Sequence, residues 1–173
     1  MRKLILPLLL AGLLGSVLAP AASAQTLRDL DGKLRSVPEL AAQPGTEAVV
    51  LVVWCSHCGS CRGNERPLAD YTRSSGPKVK VYAVDPHPAD SPERIKKFLT
   101  GQGIKLDVLR DPNQSLINAF KIDRTTTALV FDKRGKLRYI GPFQGDGKGF
   151  AKDAVAEVLA GDEVNVKSRP LKG

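Results

Sequence analysis

The chain has 173 residues, of which 42% are hydrophobic, 25% charged and 5% aromatic, and its formal charge is +8. Those proportions suit one folded domain and exclude a disordered chain. Three cysteines are too few to staple a mini-protein, and 16 glycines and 12 prolines without a period exclude collagen-like or low-complexity sequence.

Residues 1–24 read as an export signal. Arg2 and Lys3 make a basic start, Leu4 to Leu18 is an apolar run broken only by Pro7, Gly12, Gly15 and Ser16, and Ala22-Ser23-Ala24 offers a small-x-small cleavage site. The run is shorter than the ~20 residues that span a bilayer, so an uncleaved N-terminal anchor is the second choice. No cysteine follows it, which argues against a lipoprotein. The expected location is therefore periplasmic or extracellular, with no stable membrane span once the signal is removed. Loss of Arg2 and Lys3 with the signal lowers the charge from +8 to +6. The remaining basic residues are scattered from Arg28 to Lys172 in runs no longer than two, without interleaved aromatics, so a solvated surface is favoured over a nucleic-acid interface.

The mature chain predicts a domain over 25–161 and an extended tail over 162–173. Residues 26–35 alternate around Asp31-Gly32, a hairpin turn pair. Ser36-Val-Pro-Glu39 has capping-box spacing for a short helix to about Ala42, with Gly45 as its end. Ala48 to Trp54 is a continuous, mostly β-branched apolar run, the pattern of a strand buried on both faces. Cys58 to about Ser74 suits a crossover helix leading to a parallel strand over Lys78–Val84. Ser91-Pro92 opens a helix to about Gln102, Leu106–Leu109 is a short strand, and Asn113–Phe120 is helical. Thr127–Asp132 and Lys136–Ile140 pair across Lys133-Arg134-Gly135, and Phe150–Leu159 is an amphipathic helix stopped by Gly161. The order β, β, α, β, α, β, α, β, α, β, β, α defines an α/β domain with a mixed sheet flanked by helices.

All three cysteines lie within Val53-Trp54-Cys55-Ser56-His57-Cys58-Gly59-Ser60-Cys61-Arg62, at the junction of the central strand and the crossover helix. A C-x-x-C pair at a helix start has its first sulfur near exposed amides that favour thiolate over thiol. The second sulfur can then resolve a mixed disulfide within the molecule, with no metal or organic cofactor. Cys55–Cys58 and Cys58–Cys61 both have this spacing. Cys55 sits at the strand end, before the turn, so Cys58 is read as nucleophile, Cys61 as resolving thiol and Cys55 as a buried or auxiliary thiol.

The segment resembles the F-W-A-S-W-C-G-P-C-R pattern of thioredoxin-like proteins, in particular exported TlpA-like and redoxin-type thiol:disulfide oxidoreductases. Trp54 fits the first Trp, Cys55 the Ala, His57 the second Trp, Cys58 and Cys61 the redox pair, and Arg62 the basic residue. Leu106-Asp-Val-Leu-Arg-Asp111 resembles the strand of the βα insertion in these families, and Thr125-Thr-Thr-Ala-Leu-Val-Phe-Asp132 resembles T-P-T-T-F-L-I-D. The resemblance implies a thioredoxin-like fold with an N-terminal hairpin extension and a central βα insertion. It also implies a monomer that exchanges disulfides with protein cysteines and with a redox partner. Thr126 stands where the family carries a cis-proline, His57 replaces the Trp beside the nucleophile, and Pro67 comes one residue later than the customary helix proline. Some redoxin-like relatives end in Gly-Cys, so a chain stopping at Lys172-Gly173 raises the expectation of a further redox residue beyond it.

Two other classes compete. Cys55, Cys58 and Cys61 with His87 could ligate copper in a metal-transfer protein; zinc is disfavoured because adjacent His57 and Cys58 cannot easily both face one ion. A thiol peroxidase of the P-x-x-x-T-x-x-C type would need Pro and Thr where Leu51 and Cys55 stand. Asp85, Asp111 and Asp132 fall at strand ends and read as solvated caps, whereas Glu65 is placed to assist proton transfer.

Overall fold

The computed structural model describes residues 25–56, 58–59, 63–145, 148–165 and 168. The expected export signal, and with it any cleavage site or anchor, lies outside the described residues. Among the described residues no helix is long and apolar enough to cross a membrane.

The elements are β1 (Thr26–Asp29), β2 (Leu34–Ser36), α1 (Val37–Ala41), β3 (Ala48–Val53), α2 (Glu65–Ser74), β4 (Val79–Asp85), α3 (Pro92–Gly101), β5 (Val108–Arg110), α4 (Ser115–Ala119), β6 (Thr127–Asp132), β7 (Leu137–Pro142) and α5 (Phe150–Ala160). Their order matches the sequence expectation. The strands form one seven-stranded sheet in the order β2-β1-β5-β4-β3-β6-β7. β3 runs parallel to β4 and antiparallel to β6, with Val50 opposite both Val81 and Val130.

Every residue of β3 is buried. Its alternate side chains feed two cores, as a strand's period of two requires. Ala48, Val50, Val52 and Trp54 join Leu68 and Tyr71 of α2, Ile95 and Leu99 of α3, and Ala151, Ala154, Val155 and Val158 of α5. Val49 and Leu51 join Val37 and Leu40 of α1 and Leu116 of α4 on the other face. Helices therefore cover both faces, which is why the run shows no polar alternation.

Local signals explain the connections. The β1–β2 turn closes with Gly32 at φ 85°, accessible to glycine at little cost. Ser36 accepts the Glu39 amide at the start of α1, and Ser91 accepts the Arg94 amide at the start of α3. Gly161, at φ 80°, stops α5 as expected. α1 is capped at Ala42, so it ends short of Gly45. Beyond α5, Ser168 bridges Ile140 in parallel, which sets that point of the tail beside β7.

One element departs from expectation. The crossover helix begins at Glu65, not Cys58. Gly63 at φ 94° breaks the helical path, and a start at Glu65 places Pro67 in the first turn, where its missing N–H costs no intrahelical bond.

Candidate functional site

The carboxyl ends of β3 and β4, the start of β6 and the starts of α2 and α3 meet at one edge of the sheet. After β3 the chain stays beside β4 for one further residue, the Trp54 amide donating to the Val84 carbonyl at 2.9 Å. The Trp54 side chain is buried, its ring 5.8 Å from that of Phe98. Its Nε1–H donates to Glu65 Oε1 at 3.3 Å, while Glu65 Oε2 accepts the Gly63 amide at 2.8 Å. Glu65 thus ties the end of β3 to the first turn of α2.

From the other side, the Thr126 amide donates to the Val53 carbonyl at 2.6 Å, and the Thr126 carbonyl accepts the Phe143 amide at 2.9 Å. The peptide bond before Thr126 is trans, and Thr126 holds φ at 63°. The family's cis-proline geometry is therefore replaced here by a β-branched residue in the left-handed region, a conformation costing about 1–3 kcal/mol unless its surroundings enforce it. The bonds to Val53 and Phe143 on its two sides supply that enforcement.

Between these supports lie the cysteines. Cys55 is 8% exposed and belongs to the core on the α2, α3 and α5 face. Cys58 is half-buried and packs against the same core. His57, Cys61 and Arg62 lie outside the described residues. Because α2 starts at Glu65, Cys58 precedes its first turn by several residues, and the expected placement of Cys58 at that helix's start is corrected. Gly59 lies instead in a 3₁₀ turn.

Behind the cysteines is a cluster the sequence did not reveal. Asp85, at the end of β4, and Asp90, before α3, are both fully buried. Asp90 Oδ2 accepts the Ser56 hydroxyl at 2.8 Å, and its Oδ1 lies 3.3 Å from Arg94 Nε. Asp85 Oδ1 accepts the His87 amide at 2.9 Å, whereas its Oδ2 is buried without a hydrogen-bond donor. Burial pushes the Asp85 pKa up to about 7; Asp90 adds to the rise, and the amides of His87 and Ser56 oppose it. Two adjacent buried carboxyls cannot both ionise cheaply, which opposes the second charge. The reading of Asp85 as a solvated cap is corrected, as is that of Asp111, which is buried and receives the amides of Ser115, Leu116 and Ile117 at the start of α4.

The structure thus brings Trp54, Cys55, Cys58, Glu65, Thr126 and Asp85 to one edge. His87 is in the loop after β4, half-buried, with its ring Nδ1 accepting the Ala89 amide at 3.3 Å. Among the described residues no three His, Cys, Asp or Glu side chains converge as metal ligands would. Ser56 and Asp90 had no sequence signal of their own. The spacing of Asp85 and Asp90 across Pro-His-Pro-Ala reads as an exposed loop until α3 folds back over it.

Residues 18–140 match the model of the AhpC/TSA family. No curated protein matches the chain. Among solved structures, a hypothetical protein from Sinorhizobium meliloti 1021 is 24% identical with a TM-score of 0.69, covering 86% of this chain and 88% of that one. A thioredoxin-like protein from Aeropyrum pernix is 21% identical with a TM-score of 0.58, covering 79% and 88%. A putative thiol-disulfide oxidoreductase from Bacteroides vulgatus is 18% identical with a TM-score of 0.63, covering 82% and 90%. The α/β domain seen here shares the architecture of these structures, and its fold is thioredoxin-like.

Proposed function

The chain belongs to the AhpC/TSA family, and from that membership we propose that it is an exported thiol:disulfide oxidoreductase acting on protein cysteines through Cys58 and Cys61. The observation that carries the reading is the contrast between two sulfurs at one strand end: Cys55 is buried in the core, while Cys58 is half-exposed beside it. An incoming disulfide can reach only a sulfur that solvent reaches. The sequence spacing places Cys61 three residues on, as a resolving thiol requires.

The Cys58 thiolate attacks one sulfur of a substrate disulfide, forming a mixed disulfide and releasing one substrate thiolate. The Cys61 thiolate then attacks the Cys58 sulfur, releasing the second substrate thiolate and leaving a Cys58–Cys61 disulfide. Two electrons pass to the substrate. The same steps in reverse oxidise a dithiol, and the reduction potential of the pair sets the direction. Trp54, Glu65 and Thr126 anchor the strand end against which these steps take place. The solved Bacteroides vulgatus protein is described as a putative thiol-disulfide oxidoreductase, and that likeness supports the reading.

Insulin reduction and reoxidation of scrambled ribonuclease, run with the wild type and with Cys58→Ser, test the proposal. Activity in one assay, abolished by the substitution, is the expected outcome. Unchanged turnover in Cys58→Ser removes the assignment. Peroxide turnover or tight stoichiometric Cu(I) binding, with neither exchange reaction present, replaces it by a peroxidase or a copper carrier.

A further inference from the structure

The Asp85–Asp90 pair takes no part in the exchange steps above, although it sits directly behind the segment that carries them. Ser56 lies between Cys55 and Cys58 in the chain and is itself buried. Asp90 receives its hydroxyl, and its backbone amide lies against the Asp85 carboxyl. Asp90 thus grips Ser56 by its hydroxyl, and Asp85 lies beside the Ser56 amide. The grip contains a defect if both carboxyls are ionised, because Asp85 Oδ2 is buried without a donor while Asp90 lies beside it. A proton on Asp85 Oδ2 repairs the defect by turning that oxygen into a donor toward Asp90.

We propose that Asp85 and Asp90 share one proton and together form a clamp on Ser56 that positions the Cys55–Cys58 segment, so that loss of the proton weakens the grip and puts a second negative charge behind Cys58. The proposal rests on the oxidoreductase reading for its purpose, but its geometry stands apart from it. The proton resides on Asp85, because Asp90 already has the Arg94 guanidinium at 3.3 Å and the Ser56 hydroxyl at 2.8 Å to support its charge. The rise of the Asp85 pKa to about 7 agrees with that assignment.

Among the described residues, α3 contributes Arg94 to the pair. The loop after β4 contributes His87, whose amide faces Asp85 and whose ring Nδ1 accepts the Ala89 amide. β5 places Arg110 opposite Asp85 in register, and the next residue, Asp111, turns its carboxylate to α4 and not to the pair. The extension of β3 contributes Ser56, with Cys55 and Cys58 on either side of it in the chain. Asp85 and Asp90 are therefore positioning residues, acting on the cysteines through Ser56.

The test is the pH dependence of iodoacetamide alkylation at Cys58 in the reduced protein, read by peptide mass spectrometry. The wild type is expected to show a second inflection near neutrality besides that of the thiol. Asp85→Asn supplies a permanent amide donor in place of the shared proton; it should fold, match the wild-type rate below the inflection, lack the inflection, and react at least about threefold faster at pH 8. Ser56→Ala keeps both carboxyls but removes a donor to their charge, and should move the inflection to higher pH. The inflection should persist in His57→Gln/His87→Gln. An Asp85→Asn profile that superimposes on the wild type, an unmoved inflection in Ser56→Ala, or its disappearance in the double histidine variant overturns the clamp. A wild type that shows the inflection, lost in Asp85→Asn, yet exchanges no disulfide supports the clamp and overturns the oxidoreductase reading instead.

Discussion

Asp111 and Asp85 sit at the ends of neighbouring strands and are equally hidden from water, yet they are served very differently. Asp111 receives three backbone amides and the Ser115 hydroxyl at 2.8–3.2 Å, so each of its oxygens is satisfied as an anion. Asp85 receives the His87 amide on Oδ1 and has the Ser56 amide beside its carboxyl, but its Oδ2 has no donor. A buried carboxylate with a full set of donors builds the fold; one left short beside a second carboxylate stores a proton. The shortfall lies where Ser56 of the cysteine segment meets the pair, and the full set lies at the start of α4.

The largest expected effect breaks the well-served side. Asp111→Ala leaves the amides that open α4 without their acceptor and should cost about 2–4 kcal/mol in urea unfolding. A loss under about 0.5 kcal/mol would show that water replaces the carboxylate easily and that the contrast with Asp85 is empty.

Asp85→Asn should act in the opposite sense and depend on pH. In the unfolded chain the carboxyl titrates at its ordinary value of 3.8, in the folded protein at about 7. Between those values the folded state holds a proton the unfolded state has lost, so wild-type stability falls as pH rises through that window. The amide side chain of the variant does not titrate and carries no such dependence. The variant should therefore gain relative to wild type from pH 4 to pH 8, by on the order of 2 kcal/mol at the upper end and by several degrees in Tm. Parallel Tm–pH curves would contradict this.

A smaller effect is expected at Thr126. Glycine adopts φ 63° without the steric cost a β-branched residue meets, but it loosens the unfolded chain, so Thr126→Gly should change stability by no more than about 1 kcal/mol, in the favourable direction. Thr126→Pro should destabilise, since proline cannot reach that φ and has no amide to give Val53. A proline variant more stable than the wild type would show that the Thr126 amide and its φ are not what hold this loop.

The fold was legible because its signals are local or periodic. The apolar run over 48–53, the Asp31-Gly32 turn, the Ser36 and Ser91 caps and the Gly161 stop each acted where the sequence placed them. The site was legible only as far as Trp54, Cys55, Cys58, Glu65 and Thr126 converge at one edge. The start of α2 was not, because a C-x-x-C before a polar stretch reads as helical, and only the φ of Gly63 together with the place of Pro67 moves the start to Glu65. Nor was the Asp85–Asp90 pair, since two aspartates across a Pro-rich loop look solvated. Their burial arises when α3 packs Ile95 and Leu99 into the core and carries Asp90 under Ser56. That is a tertiary consequence without a local signature.

The central claim is that Cys58 is the sulfur substrates meet. Reduced Cys61→Ser, mixed with a disulfide-bonded peptide and analysed by intact and peptide mass spectrometry, tests it most directly. The account predicts a long-lived adduct of one peptide per chain, located on Cys58; an adduct on Cys55, or none while the wild type exchanges normally, would contradict it.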